Sequence, residues 1–289
     1  MIASMFTLAF LASIIRISVP YVLAALGGSV TERSGMVDLA LEGKLLFGAF
    51  AAAAVGHATN SALAGIVAAM AVGMLVASLQ ALCALVFEAD QAIVGIAINL
   101  LALGGTRFLL QLLFHEGSNS PPAPSYGTDV VENPIVWLAV LAALLVPFAV
   151  WRTRWGLRLR ASGDRPESLL AVGVRPNEAR LWAALVGGAL TGAGGAQLSL
   201  AVGGFSADMT SGRGYIALAM VILGGWRPAY AVLACVGIAA AEALNILLQT
   251  QSVAIPRELA PLLPYVLTLV VLAVWGSKGR KAPASLGKL

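Results

Sequence analysis

The sequence predicts an all-α, polytopic bundle of transmembrane helices, and three observations predict it. Of the 289 residues, 59% are hydrophobic and 11% charged, against about 45–50% and about 25% in a soluble domain. Several stretches exceed the roughly 18 apolar residues that mark a membrane span. The charge is also segregated. Of the 18 Lys and Arg residues, seven are arginines within 152–180 and four lie within 278–288. No soluble domain is legible, so residues 1–289 read as one transmembrane unit.

Taken in order, apolar spans are expected near 4–27, 36–57, 61–87, 91–114, 134–151, 180–202, 214–226, 228–249 and 259–276. That is about nine, within a range of eight to ten. The first lacks a charged start and a small-residue cleavage site, so it reads as a retained signal-anchor. The second begins as a short helix after a break at 31–35. The seventh is too short to cross alone, because 13 residues rise only about 20 Å. It is expected to complete its crossing with the irregular stretch 203–213. Positive loops stay cytoplasmic. Loop 152–180 and the tail are therefore assigned to the cytoplasm. Loop 115–133, with Glu116, Asp129 and Glu132 and no Lys or Arg, faces outward. Counting back along the spans makes the N-terminus extracytoplasmic and the C-terminus cytoplasmic.

Two short polar segments break this oily chain. One runs Thr31-Glu32-Arg33-Ser34-Gly35 through Asp38 to Leu41-Glu42-Gly43; the other is Thr210-Ser211-Gly212-Arg213-Gly214-Tyr215. Backbone that leaves a helix within a bilayer must line a cavity or be buried in protein. Paired breaks in two halves of a chain point to a transport path. A shift of 179 residues superposes Gly35, Leu39 and Ala40 on Gly214, Leu218 and Ala219, a faint sign of inverted repeats. The path candidates are Thr31, Glu32, Gly35, Asp38, Asn99, Asp208, Thr210, Ser211, Gly212, Arg213 and Gly214. Small residues would let backbone approach a solute, and hydroxyls suit a polar, uncharged one. Gly214 is expected to face a cavity and not a packed core.

Charges at membrane depth either pair with one another or mark the path. Asp38, Glu42, Arg107, Asp208, Arg213 and Glu242 are such charges, and Arg16 also lies mid-span. Glu242, Asn245 and Gln249 share one helix face that can glue helices together, and the glycines of 187–195 permit close packing.

Residues 163–174 read as a short helix. Asp164 and Glu167 have capping-box spacing, Pro166 lies in the first turn and Gly173 is a stop. A helix this short is unstable alone and needs a surface for Leu169, Leu170 and Val172. That surface is either a cytoplasmic partner or the chain's own membrane domain.

Enzyme chemistry finds no foothold. His57 and His115 read as surface histidines, Cys83 and Cys235 as small apolar residues, and no nucleophile has a base at a recognisable spacing. No catalytic residue, metal or cofactor is expected. Nucleic acid is not an expected partner either, since the basic loop is pinned between spans. No phosphate-cradling Gly-x-x-x-x-Gly-Lys-Ser/Thr loop exists.

The segments together resemble the permease subunit of a bacterial ABC importer. The branch is that of simple sugars and nucleosides, related to the ribose and branched-chain amino acid permeases. The resemblance rests on Glu32-Arg33-Ser34-Gly35 through Leu41-Glu42-Gly43, and on Arg160-Ala161-x-Gly163-x-x-Pro166 with Gly173-Val174. Its third element is Thr210-x-Gly212-Arg213-Gly214-Tyr215-Ile216-Ala217-Leu218-Ala219. Asp38 departs from the family's usual Asn, Ala40 from Gly, and Lys44 from an apolar residue. The resemblance implies alternating access driven by a separate cytoplasmic ATPase. It further implies a second permease subunit, identical or different, and an extracytoplasmic substrate-binding protein. It casts 152–180 as a coupling loop, with Asp164, Pro166, Glu167, Leu169, Leu170, Val172 and Gly173 meeting the ATPase. The substrate it implies is a nucleoside or a simple sugar. The competing reading is an ion-coupled secondary transporter; a membrane-embedded enzyme or scaffold is a more distant one.

Overall fold

A computed structural model describes residues 8–126, 129–250 and 282–288. The described chain is helical throughout: α1 (Leu8–Arg33), α2 (Leu41–Thr59), α3 (Ala62–Leu85), α4 (Gln91–Phe114), α5 (Pro134–Arg152), α6 (Arg154–Asp164), α7 (Pro166–Ala171), α8 (Pro176–Val202), α9 (Arg213–Leu223) and α10 (Pro228–Thr250). The sequence supplies several of the boundaries as caps. Asp90 accepts hydrogen bonds from the amides of Ala92 and Ile93 at 2.8 and 3.1 Å. Asn133 accepts from Ile135 N at 2.9 Å, with Pro134 in the first turn of α5. Thr153 caps α6 through Gly156 N at 3.1 Å. Each such bond satisfies an amide that the helix itself leaves free.

Six of these helices are long and apolar enough to span a membrane: α1, α3, α4, α5, α8 and α10. The expected nine are thus not all seen as spanning helices. α2 has the length, at 19 residues, but carries Glu42 and Lys44 in its first turn. α9 has 11 residues and rises only about 17 Å. The ninth expected span, 259–276, lies outside the described residues. α1 is also longer at its end than expected. It stays helical through Thr31 and Glu32, so the break falls at 34–40 rather than 31–35.

α8 is the hub and the most buried of the six spans; it packs on α1, α2 and α3. Its glycines make that possible. A Cβ on Gly48 of α2 would lie 2.6 Å from the Gly192 carbonyl oxygen, and one on Gly188 would lie 2.5 Å from the Ala77 Cβ. Backbones that close exclude any side chain at the crossing. α3, α4 and α5 turn exposed apolar residues outward, among them Val67, Leu75, Ile96, Leu100, Leu144 and Phe148.

Cross-connections define two ends. At one end, loop residues 118–126 run beside 200–207. Ser120 N donates to Phe205 O and Ala123 N to Gly203 O, both at 2.8 Å. At the other end, the arginine-rich segment 152–180, the end of α1 and the tail segment 282–288 come together. Ser285 N donates to Gly163 O at 2.8 Å, Gly287 N donates to Gly35 O at 3.0 Å, and Arg180 Nη2 donates to Lys288 O at 3.3 Å. The basic loop and the basic tail therefore share one end. The docking of the tail was not legible from its composition.

Candidate functional site

The site is where two interrupted helices meet. α1 runs toward the arginine-rich end and stops. Gly35 adopts φ 101°, a left-handed conformation that suits glycine, and its amide closes on Glu32 O at 3.0 Å. After the irregular segment 34–40, α2 starts back toward the opposite end. α8 and α9 repeat this in reverse. α8 runs away from the arginine-rich end, 203–212 is irregular, and α9 returns toward it. The N-termini of α2 and α9 meet head to head inside the bundle. The 179-residue shift is not the register of this relation, because it sets the turn residues Leu39 and Ala40 against Leu218 and Ala219 within α9.

Glu42 joins the two. Its carboxylate accepts from Gly212 N at 2.8 Å through one oxygen and from Gly214 N at 2.6 Å through the other. The first residue before α9, Gly212, has φ 80° and no side chain to cap the helix. Glu42 supplies the missing cap from α2, and its negative charge suits the positive end of the α9 dipole. Asn99 of α4 does the same for α2: its Oδ1 accepts from Gly43 N at 2.8 Å. The Asn99 amide nitrogen then donates to Leu39 O at 2.8 Å and to the Tyr215 hydroxyl at 3.1 Å. Asn99 thus ties the irregular segment, α2 and α9 together.

The linker 34–40 is held from every side. Lys44 Nζ sits 2.6 Å from Asp38 Oδ1, and both side chains are 0% exposed. Asp38 N donates to one oxygen of Glu32 at 3.3 Å, and the Trp226 indole donates to the other at 2.6 Å. Gln91 accepts from Val37 N at 2.6 Å, and Gln80 donates to Val37 O at 3.0 Å. At the first residue of α9, Arg213 pairs with Glu242 at 3.2 Å, and Tyr21 donates to the second Glu242 oxygen at 2.9 Å. Arg107 pairs with Asp208. Most charges singled out at membrane depth are therefore engaged, in pairs or in a cap.

The predicted path residues divide into two groups. Thr31, Glu32, Asp38 and Thr210 are buried, and the Thr31 hydroxyl is spent on Gly27 O at 3.1 Å. Asn99 is buried at its edge, while Asp208, Ser211 and Tyr215 are exposed and Arg213 and Gly212 are intermediate. The exposed members line one side, where α4 adjoins the α9 entry. Gly214 does not face a cavity. A Cβ there would lie 2.5 Å from the Glu42 Cα and 2.8 Å from its carboxylate, so the glycine is needed for helix contact. Sequence reasoning singled out Glu42 only as a deep charge and gave Tyr215 no role. The signal for Glu42 was available: an α-helix starting at Gly212–Arg213 leaves free amides that need a buried acceptor.

The loop residues also differ from their expected local roles. Asp164 does not cap the short helix; it ends α6 and pairs with Arg33 at 3.6 Å. Arg165 stands at the start of α7 with no side-chain cap. Pro166 and Glu167 open α7, and Gly173 at φ 74° ends that turn as expected. Leu169 is buried against the body, whereas Leu170 and Val172 are 60% and 71% exposed. A cleft of about 700 Å³ lies beside them, lined by Glu167, Leu170, Arg175, Arg180, Ser285 and Lys288 among others.

Interrupted helices that meet head to head in a multi-pass helical bundle are the pattern of a membrane transporter. Residues 10–272 match the family described as "Branched-chain amino acid transport system / permease component", and the chain belongs to that family. It is 32% identical over 294 residues to a guanosine ABC transporter permease protein of Bacillus subtilis, covering 93% of this chain and 92% of that one. It is 30% identical over 286 residues to a nucleoside ABC transporter permease protein of Lactococcus lactis, covering 90% of each. A putative glucose ABC transporter permease protein of Haloferax volcanii is 32% identical over 255 residues, covering 83% of this chain and 77% of that one. No solved structure matches the chain. The chain is a multi-pass membrane permease.

Proposed function

We propose that this chain is the membrane subunit of an ABC importer for nucleosides or simple sugars, with nucleosides the preferred class. Two relatives matched over nine-tenths or more of both chains bear guanosine and nucleoside names, which supports that order. The observation that carries the mechanism is the bonded chain from the arginine-rich end to the helix junction. Exposed Leu170 and Val172 offer an apolar footing to a cytoplasmic ATPase, while buried Leu169 anchors α7 to the body. α6 leads on to Gly163, whose carbonyl holds the tail, and to Ser162, whose hydroxyl donates to Ser34 O at 3.0 Å. Segment 34–40 then leads through Asn99 and Glu42 to the start of α9.

In this reading, ATP-driven closure of an ATPase pair presses on α7 and shifts the linker, and α9 moves with Glu42. The solute path runs along the exposed side formed by α4 and the α9 entry, where Asn99, Asp208, Ser211, Gly212, Arg213 and Tyr215 offer polar groups. A second permease subunit closes that side, since exposed charge at membrane depth is otherwise costly. A substrate-binding protein delivers the solute at the end formed by 118–126 and 200–207. Loop 152–180 and the C-terminus face the cytoplasm, and the N-terminus lies outside. The test is ATP-dependent uptake of radiolabelled guanosine, uridine and glucose by vesicles holding the full transporter. Uptake of the nucleosides supports the reading, and failure to import any of the three contradicts it.

A further inference from the structure

Trp151 lies one residue before the end of α5, at the arginine-rich end of the bundle. Three guanidinium groups from three separate segments converge on its ring. The Cζ of Arg160 (α6) is 4.5 Å from the ring centre, that of Arg33 (end of α1) 5.5 Å, and that of Arg227 (between α9 and α10) 5.7 Å. Three like charges are thereby held within roughly a Debye length, about 10 Å, of one another. Among the described residues one carboxylate forms an ion pair with them, Asp164 at 3.6 Å from Arg33. The Arg33 Nε is buried without a hydrogen-bond partner. An indole ring attracts cations but does not neutralise them. The cluster is left with two uncompensated positive charges and unused donors.

We propose that Arg33, Arg160 and Arg227 around Trp151 form a binding site for the phosphate headgroup of an anionic phospholipid. The guanidinium fork matches phosphate oxygens in pairs, which favours that anion over a carboxylate-free apolar ligand. The depth is right: tryptophan at a helix end marks the membrane interface, and basic pockets between helices there take lipid headgroups. The surroundings select a lipid over free phosphate. Leu141, Leu144, Phe148 and Trp151 are all exposed and form a stripe along α5 that ends at the cluster. Acyl chains laid on that stripe would bring their headgroup to the three arginines.

The test titrates the purified full-length chain in detergent with dioctanoyl phosphatidylglycerol, dioctanoyl phosphatidylcholine and inorganic phosphate. Retained ligand is read by native mass spectrometry. Phosphatidylglycerol is expected to bind about tenfold more tightly than phosphatidylcholine. Arg160→Gln and Arg227→Gln should each weaken phosphatidylglycerol about fivefold, and the double variant roughly twenty-fold. Arg158→Gln, an exposed arginine of the same helix outside the cluster, should change it less than about twofold. The single variants keep the test open should the double variant misfold. Wild-type affinity in both single variants, or an equal loss in Arg158→Gln, overturns the site. Arginine-dependent binding of inorganic phosphate with no preference between the two lipids overturns the lipid assignment.

Discussion

Lys44 has no exposed surface inside a membrane bundle, and its amine is answered by Asp38. The resemblance implies an Asn and an apolar residue at these two positions, and in the structure the Asp and the Lys that stand there form one pair. A buried charge that loses its partner is strongly destabilising, by about 3–5 kcal/mol, while replacing both is often neutral. Lys44→Met and Asp38→Asn should therefore each lower membrane abundance and the thermal unfolding midpoint. Asp38→Asn/Lys44→Met should recover most of both; equal damage in the double variant would show that the residues act separately. Glu42 is a second test at this scale. Glu42→Ala leaves Gly212 N and Gly214 N without their acceptor, at about 1–3 kcal/mol each. Uptake should fall at least tenfold even where protein accumulates, because the two helix starts are no longer joined. The paired charges were legible in the sequence only as candidates, since partner choice is a property of three-dimensional packing. That Gly35 and Gly212 break the helices was plain from glycine placement; that α1 stays helical through Glu32, and that Gly214 serves contact with Glu42, was not.

Among the elements, long apolar runs placed α3, α4, α5 and α10 almost where they are, because spanning length and caps fix such helices locally. The short elements were harder. The capping-box pattern at Asp164 and Glu167 is overridden by α6, which runs through Asp164 and hands it to Arg33. α7 is held instead by buried Leu169, so its two neighbours carry the coupling prediction. Leu170→Asp/Val172→Asp should leave abundance unchanged while abolishing ATPase pull-down and uptake. Leu169→Asp should instead reduce folded protein, as a charge in a buried apolar position. Normal ATPase capture by the first pair would place the coupling surface elsewhere. The tail segment is a further element with a job: it bonds to Gly35 and Gly163 at once. Removing residues 282–289 should speed amide exchange at 34–40 and 162–164, read by mass spectrometry, and leave α3 and α4 unaffected.

For the molecule as a whole, hydropathy gave the class and arginine placement gave one end, because both act over many residues. The head-to-head meeting of α2 and α9 was only hinted at, since Gly and charge mark a break without saying what it touches. Orientation is tested by single cysteines at exposed Ser168 and Ser118, in a chain with Cys83 and Cys235 replaced. Ser168 should label from the cytoplasmic side alone and Ser118 from outside alone. The most direct test of the central claim is reconstitution of this chain with its ATPase, second permease and binding protein in proteoliposomes. Uptake of radiolabelled guanosine should require ATP, persist when a protonophore and ionophores collapse all ion gradients, and vanish in the Leu170→Asp/Val172→Asp variant. Uptake that proceeds without the ATPase and collapses with the gradients would contradict the account and make the protein an ion-coupled transporter.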